Sequence, residues 1–373
     1  MKREKKVEGK VRVKVVILMV MMMVMMGCNS GGVGGGEEGK NKFLQSLVNV
    51  SNEFLNVFTS FGEMVGSVLG FNVNSKKSDV GNYFKKVQGT VQGTKDKLEQ
   101  IVADMKKVGN PNTVEVESVV KKLVSETFDK IIDGASEALK GADGVEAIGN
   151  VAEPVAGAGA GADVNAVKSL SEGIKKIVSV VLKEGNAEAG NDNGPVKDDG
   201  NAGAARGDAG AGADGDARKL FANNNAGDAA AAAKAARDAV KAVGAVTGAD
   251  ILQAIAKGDD GESAKLAKHN NVVANNNGAN ANNARDAIIA GGIALRAMAK
   301  GGKFANASAA AAGVKANVVN AAVSGVTKAL NTLTVAIRSA VDEGLKSVKE
   351  AIKINTNDTP VSSENSVSGG QNK

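Results

Sequence analysis

An all-α protein is what the sequence predicts: an elongated helical bundle with long helices at its two ends and Ala/Gly/Asn-rich loops between them. Three observations predict it. Apolar residues recur every three or four positions over long stretches, as one face of a helix requires. Aromatic residues make up only 3 % of the 373 residues while glycine reaches 47, so Ala, Val, Leu and Ile must close the interior at short backbone separations. The longest apolar stripes lie toward the two ends of the body. With one histidine, His269, and one cysteine, Cys28, the chain can build neither a His/Cys metal cluster nor an intrachain disulfide.

Taken in order, the chain begins with an address. Lys2, Arg3, Lys5, Lys6, Lys10, Arg12 and Lys14 face only Glu4 and Glu8, so residues 1–27 carry the whole net charge of +5. The remaining body is formally neutral and offers no field to displace counterions from a nucleic acid, so none is expected as a partner. The apolar run from Val15 to Met26 is shorter than the about 20 residues a membrane span needs, and it reads as a signal peptide. Gly27 directly before Cys28 resembles a bacterial lipobox, in a loose Met-rich version, which makes Cys28 the expected lipid attachment site. The competing reading is a stray thiol after an ordinary signal. Each buried acyl methylene contributes about 0.8 kcal/mol, so several chains would hold Cys28 firmly to a lipid bilayer. Residues 28–40, dominated by glycine, form a flexible tether, and a single helical domain is expected over 41–354.

Within that domain a first helix carries Phe43, Leu47, Val50, Phe54, Val57, Phe58, Phe61, Val65 and Val68 on one face. A second is expected over 80–108, with Tyr83, Phe84, Val87, Val91, Leu98, Ile101, Val102 and Met105, stopped by Gly109, Asn110 and Pro111. Thr113 reads as the N-cap of a third, which runs through Val116, Val120, Leu123, Phe128, Ile131 and Ala135 to Leu139. Gly141 to Ala162 reads as a loop, followed by a helix over 164–182.

The composition then shifts. From Gly185 to Asn283 more than half the residues are Ala, Gly or Asn, which predicts loops at 185–217 and 270–283 and Ala-rich helices at about 226–243 and 249–257. Such a region is expected to bury little and to tolerate sequence change. Ala284 to Ala299 is apolar almost all round, as a helix enclosed by others must be, and its Gly291-Gly292 pair predicts close helix contact. A long stripe from Val319 to Ile352 predicts a rod on the order of 50 Å. Residues 355–373 are polar and read as a disordered tail. Pairing the two end helices beside the lipid would place the Ala/Gly/Asn-rich middle at the distal end.

Motifs with a chemical meaning are few. Gly210 to Gly215 formally matches G-x-G-x-x-G, but no strand precedes it and an Ala/Gly tract produces the pattern by chance. Arg206-Gly207-Asp208, in an expected loop, resembles an integrin-recognition tripeptide; the alternative is a chance match in low complexity. Asp208, Asp214 and Asp216 lack the ligand spacing of a calcium loop. His269 reads as an exposed loop residue. Lysine pairs at 76–77, 85–86, 106–107, 121–122 and 175–176 are either a patch for sulfated glycans or the wet faces of helices. No catalytic residue, cofactor or metal is expected. A partner for Arg296 or Lys300 in a buried carboxylate is a further expectation.

At the level of whole segments the chain resembles the variable large proteins, the larger class of variable major proteins of relapsing-fever Borrelia, related to the Vls-type surface antigen of Lyme spirochaetes. The segments that carry the resemblance are FLQSLVNVSNEFLNVFTSFGEMVGSVLGFNVNSKKSDVGNYFKKVQGTVQGTKDKLEQIVADMK (43–106) and FDKIIDGASEALK (128–140). ALRAMAKGGKFA (294–305) is similar to the family's invariant region at Leu295, Arg296, Met298, Ala299, Lys300, Gly302 and Phe304. The resemblance implies a lipoprotein of the cell outer membrane, facing the exterior and acylated with palmitate at Cys28. It further implies a non-enzymatic antigen met by host antibodies and used for immune evasion by antigenic variation. The alternative is an adhesin for host glycosaminoglycans or integrins, using the Lys-rich faces or Arg206-Gly207-Asp208.

Overall fold

In the computed structural model the described residues are 70–107, 109–110, 112–194, 203–206, 216–270 and 283–353. The expected signal peptide, Cys28, the tether, the helix from Phe43 to Val68 and the tail at 355–373 lie outside them. The described structure is helical, joined by isolated backbone bridges rather than strands. Among the described residues no helix is long and apolar enough to cross a membrane.

Helix α1, Lys77–Lys107, buries Val80, Phe84, Val87, Val91, Leu98, Val102 and Met105, the face its spacing dictated. Tyr83 and Phe84 meet edge to face at 5.1 Å. The helix ends as expected at Gly109, whose φ of 65° lets the Asn110 amide turn back to the Met105 carbonyl at 3.0 Å.

The third expected helix is continuous but not uniform. α2, Thr113–Leu123, passes through a π-turn at Val124–Phe128 into α3, Asp129–Gly141. The wider turn inserts a residue and keeps Leu123, Val124, Phe128 and Ile131 facing inward. Thr113 is not the N-cap. Asn112 occupies that position, while the Thr113 hydroxyl donates to the Asn110 carbonyl at 2.6 Å. The Asn112 side chain instead donates to the Ile352 carbonyl at 3.0 Å, tying the start of α2 to the far end of the last helix.

α4, Val164–Val181, starts on an Asp163 cap and lies antiparallel to α3 at very short range. A Cβ on Gly173 would stand 2.4 Å from the Ala138 nitrogen, and one on Gly141 2.1 Å from the Ala166 carbonyl oxygen. The loop between α3 and α4 holds no helix, as expected, and is pinned by backbone bonds to the segment after α8. The Ala152 amide donates to Phe304, Phe304 to Asn150 and Ala160 to Lys303, at 2.8–2.9 Å.

The middle of the chain departs from expectation. A short 3-10 turn at Ala217–Phe221 leads to α5, Ala229–Ala245, α6, Gly248–Ile255, and α7, Glu262–Lys268. Far from burying little, Leu220, Phe221, Ala232, Ala235, Ala236, Ala239, Ala242, Ile251, Leu252, Ile255 and Leu266 are fully enclosed. Alanine is why: with one carbon beyond the backbone, helices approach at the short end of the usual range of about 8–10 Å and close without bulky side chains. Among the described residues, the chain leading up to Gly194 is the part that behaves as the exposed loop the composition suggested.

α8, Asp286–Met298, is buried at every residue, packed by α5, α6, α7 and α9. Its glycine pair makes the predicted close contact, since a Cβ on Gly291 would stand 2.5 Å from the Ser263 hydroxyl. α9, Val314–Lys353, has 40 residues; at 1.5 Å per residue it is about 60 Å long. Its first half carries α5, α6 and α8, and its second half carries α2, where a Cβ on Gly344 would run into Leu123.

Candidate functional site

The groups that tie the middle of the chain together are buried charges, and the first is Arg206. Its side chain is 0 % exposed, which removes it from any integrin-type tripeptide: an arginine enclosed by protein cannot reach a receptor. Residues 207–215, with Gly207, Asp208 and the G-x-G-x-x-G match, lie outside the described residues. The match leads into a five-residue 3-10 turn rather than an α-helix.

All five guanidinium donors of Arg206 are used. Nε and Nη2 grip Asp238 of α5 side-on at 2.8 and 2.7 Å, and Nη2 also reaches Asp286 at 2.7 Å. Nη1 donates to the carbonyls of Ala284 at 2.8 Å and Asn191 at 3.2 Å. Both carboxylates are 0 % exposed and also accept backbone amides: Ala217 on Asp238 at 2.9 Å and Asn191 on Asp286 at 2.8 Å. Asp286 opens α8, where the positive end of the helix dipole favours an anion. Burial works against the cation, but the bonds and charges of Asp238, then Asp286, outweigh it and hold the Arg206 pKa above its ordinary value. The Lys241 ammonium closes the rim on the Asn193 carbonyl at 2.6 Å and the Asn191 side chain at 2.9 Å.

The backbone converges on the same point. The Arg206 amide donates to Asp192 at 2.8 Å, Gly194 to Ala204 at 2.8 Å, Asn283 to Arg206 at 2.6 Å and Asp286 to Asn191 at 2.9 Å. Four stems, ending at Gly194, beginning at Gly203, beginning at Asp216 and beginning at Asn283, therefore meet around one guanidinium.

A second buried cation fastens the other end of the connection that returns at Asn283. Arg296, 0 % exposed, donates to the carbonyls of Ala267, Leu266 and Lys303 at 3.2 Å, and to that of His269. It also lies 4.9 Å over the Phe221 ring. The expected carboxylate partner is therefore replaced by carbonyls, three of them at the negative C-terminal end of α7. Burial lowers its pKa to about 9, which leaves it charged at neutral pH. Lys300, the other candidate for such a pairing, is exposed in the turn after α8. His269 is not an exposed loop residue either; it is 8 % exposed, with its carbonyl held by Arg296.

Lys77 is the third buried cation. Its ammonium donates to the last carbonyls of α8, Ala297 at 2.7 Å and Arg296 at 3.0 Å. Burial pushes its pKa down to about 7, with Glu146 acting to raise it and Arg296 to lower it further. Of the lysine pairs, 76–77 is thus half interior, whereas 85–86, 106–107, 121–122 and 175–176 are exposed. Lys106 and Lys121 share Glu117 at 2.8 Å each. Among the described residues no group of three or more His, Cys, Asp or Glu could hold a metal ion.

Comparison with known proteins places this arrangement. A family model described as Borrelia lipoprotein matches residues 54–352. The chain belongs to that family. It is 53 % identical over 333 residues to variable large protein 19 of Borrelia hermsii, an alignment that covers 88 % of this chain and 90 % of the relative. It is 40 % identical to variable large protein 4 of the same species, covering 85 % and 86 %. A crystal structure titled as the Lyme disease variable surface antigen VlsE of Borrelia burgdorferi matches with a TM-score of 0.60 at 33 % identity, over 84 % of this chain and 99 % of that one.

Membership gives the segment 294–305 a physical reading. Leu295, Arg296, Met298, Ala299 and Phe304 are all at most 1 % exposed, and a Cβ on Gly302 would stand 2.2 Å from the Arg296 carbonyl oxygen. In this chain the block is the joint at which α8, α7 and the loop after α3 are locked together. Sequence reading missed Arg206 as an interior residue, took Lys77 only as half of a lysine pair, and missed Asp238 and Asp286 altogether. The available signal was a charged residue on the alanine face of α5, Asp238 falling in step with Ala235, Ala239 and Ala242.

Proposed function

We propose that this chain is a non-catalytic variable antigen: an outer-membrane lipoprotein, anchored through acylated Cys28, that faces the exterior and presents changeable connections to host antibodies. The observation that carries the reading is its 53 % identity to a variable large protein along nearly the whole length of both. The geometry supports it through a division of labour: Arg206 and Arg296 fasten the described residues that border 195–202, 207–215 and 271–282 in the sequence. A change between the fastenings then leaves the packed framework alone. The leader and Gly27-Cys28 support the anchor and the destination.

Two measurements on intact cells test this. Cys28→Ala is expected to abolish incorporation of labelled palmitate and release the protein from the outer membrane; retention of label would refute the anchor. Protease applied to intact cells is expected to cut within 185–283, and a chain that loses nothing would not face the exterior. The adhesin reading survives only on the exposed lysine pairs. Salt-sensitive binding to immobilised glycosaminoglycan, lost on replacing Lys85, Lys86, Lys121 and Lys122 by glutamine, would favour it.

A further inference from the structure

Arg206 does more than satisfy two carboxylates. The stem ending at Gly194 is held through the Asn191 carbonyl and, via Asp286, the Asn191 amide. The stem containing Arg206 is held through its own side chain, the stem entering the 3-10 turn through the Ala217 amide on Asp238, and the stem entering α8 through the Ala284 carbonyl. The stem of Asn191 lies 15 residues from Arg206 and that of Ala284 lies 78 residues from it; among the described residues the guanidinium is the group to which each stem is bonded directly or through one carboxylate.

We propose that Arg206 is the positioning residue that makes these four stems a single cooperative unit, so that they open together while the helices beneath remain closed. The energetics favour this. A buried carboxylate left without its cation is strongly unfavourable, so releasing the guanidinium from Asp238 or Asp286 alone is costly, and once both are released the stems keep only the backbone bonds among themselves and the amides on the two carboxylates. The helices that carry the carboxylates have independent packing, α5 and α8 against α9. A local opening below the global one is what such a layered arrangement produces.

The test is native-state hydrogen exchange on the full chain, read at the amides of Asn191, Gly194, Arg206, Ala217, Asn283 and Asp286. In the unaltered protein at rising, sub-denaturing urea, these amides are expected to merge onto one opening isotherm lying below that of α9 residues such as Leu330 and Leu333. In Arg206→Lys, whose compact ammonium cannot grip Asp238 side-on while reaching Asp286, all six should exchange roughly a hundredfold faster or more, with α9 changed less than about threefold. Acceleration confined to one stem, or spread equally through α9, would overturn the proposal. Should the variant not fold, failure of the six isotherms to merge in the unaltered chain overturns it equally.

Discussion

The α3–α4 pair and the bundle around α8 close their interiors in opposite ways. In the pair, Ile131, Ala135, Leu170, Ile174 and Ile177 mesh while Gly173 and Gly141 let the backbones touch, and the charges, among them Lys140 and Glu137, stay at the surface. Around α8 many of the side chains are alanines, and cations sit at the ends of helices: the buried Lys77 on α8 and Arg296 on α7, and the half-buried Lys328 on α5 through the Val243 carbonyl at 2.8 Å. The difference teaches what each region must resist. A pair joined by one pinned loop needs only complementary faces. A region where four stems meet needs fastenings that hold several chain segments at once, and a guanidinium with five donors can do what an isoleucine cannot.

The largest effect expected from breaking this contrast comes from removing one carboxylate. Asp238→Ala strands Arg206 with half its anionic partners and leaves the Ala217 amide without an acceptor, for a loss of about 3–5 kcal/mol in urea-induced unfolding. Ile174→Val in the α3–α4 pair should cost only about 0.5–1.5 kcal/mol by the same measurement. If the two substitutions cost the same, the buried charges would be incidental to the middle bundle.

Next in size is the close approach of α3 and α4. Gly173→Ala places a methyl carbon 2.4 Å from the Ala138 nitrogen, which backbone cannot yield without separating the helices. A loss of about 1–3 kcal/mol is expected from thermal unfolding.

The pattern of hits and misses in the sequence follows from the same contrast. The α1 face, the loop after α3, α4, the enclosed character of α8 and the stripe of α9 were legible because each rests on aliphatic periodicity or on Gly and Pro punctuation, which are local signals. Asp238 and Asp286 stand 32 and 80 residues from Arg206 along the chain, and nothing local marks the three as neighbours. The burial of 216–269 was missed for a related reason: low aliphatic content reads as low burial, yet alanine helices reach full enclosure through proximity rather than through area. The π-turn at Val124–Phe128 has no signature in composition, so two helices in step read as one.

Lys77 sharpens the comparison through pH. Its pKa is about 7 in the fold and 10.5 in the unfolded chain. Below pH 7 both states hold the proton and the cost of burying the cation is fully present. Between 7 and 10.5 only the unfolded chain is protonated, so it binds more protons and stability rises with pH. Above 10.5 that cost is absent. The slope from this group approaches about 1.4 kcal/mol per pH unit within the window. Arg296, which also faces Lys77, has a pKa of about 9 and stays charged at the foot of this window, so it leaves the sign there unchanged. Lys77→Met should flatten the difference between about pH 7 and pH 9 in urea titrations; an unchanged slope would mean the ammonium is solvated.

The smallest effect carries the opposite sign and isolates what close approach contributes. Gly89 lies in the middle of α1 on its exposed side, and a Cβ there would meet nothing within 4 Å. The helical backbone already has the conformation alanine prefers, so Gly89→Ala restricts the unfolded chain without straining the folded one. A gain of about 0.4–1 kcal/mol is expected in thermal unfolding. The same substitution is thus stabilising on α1 and destabilising at Gly173, and the sign is set by whether another backbone stands against the glycine. A loss at Gly89 would mean that another part of the chain covers this face of α1, and the exposed lysines of that face, Lys85 and Lys86, would then have to be read as part of an interface rather than as a wet surface.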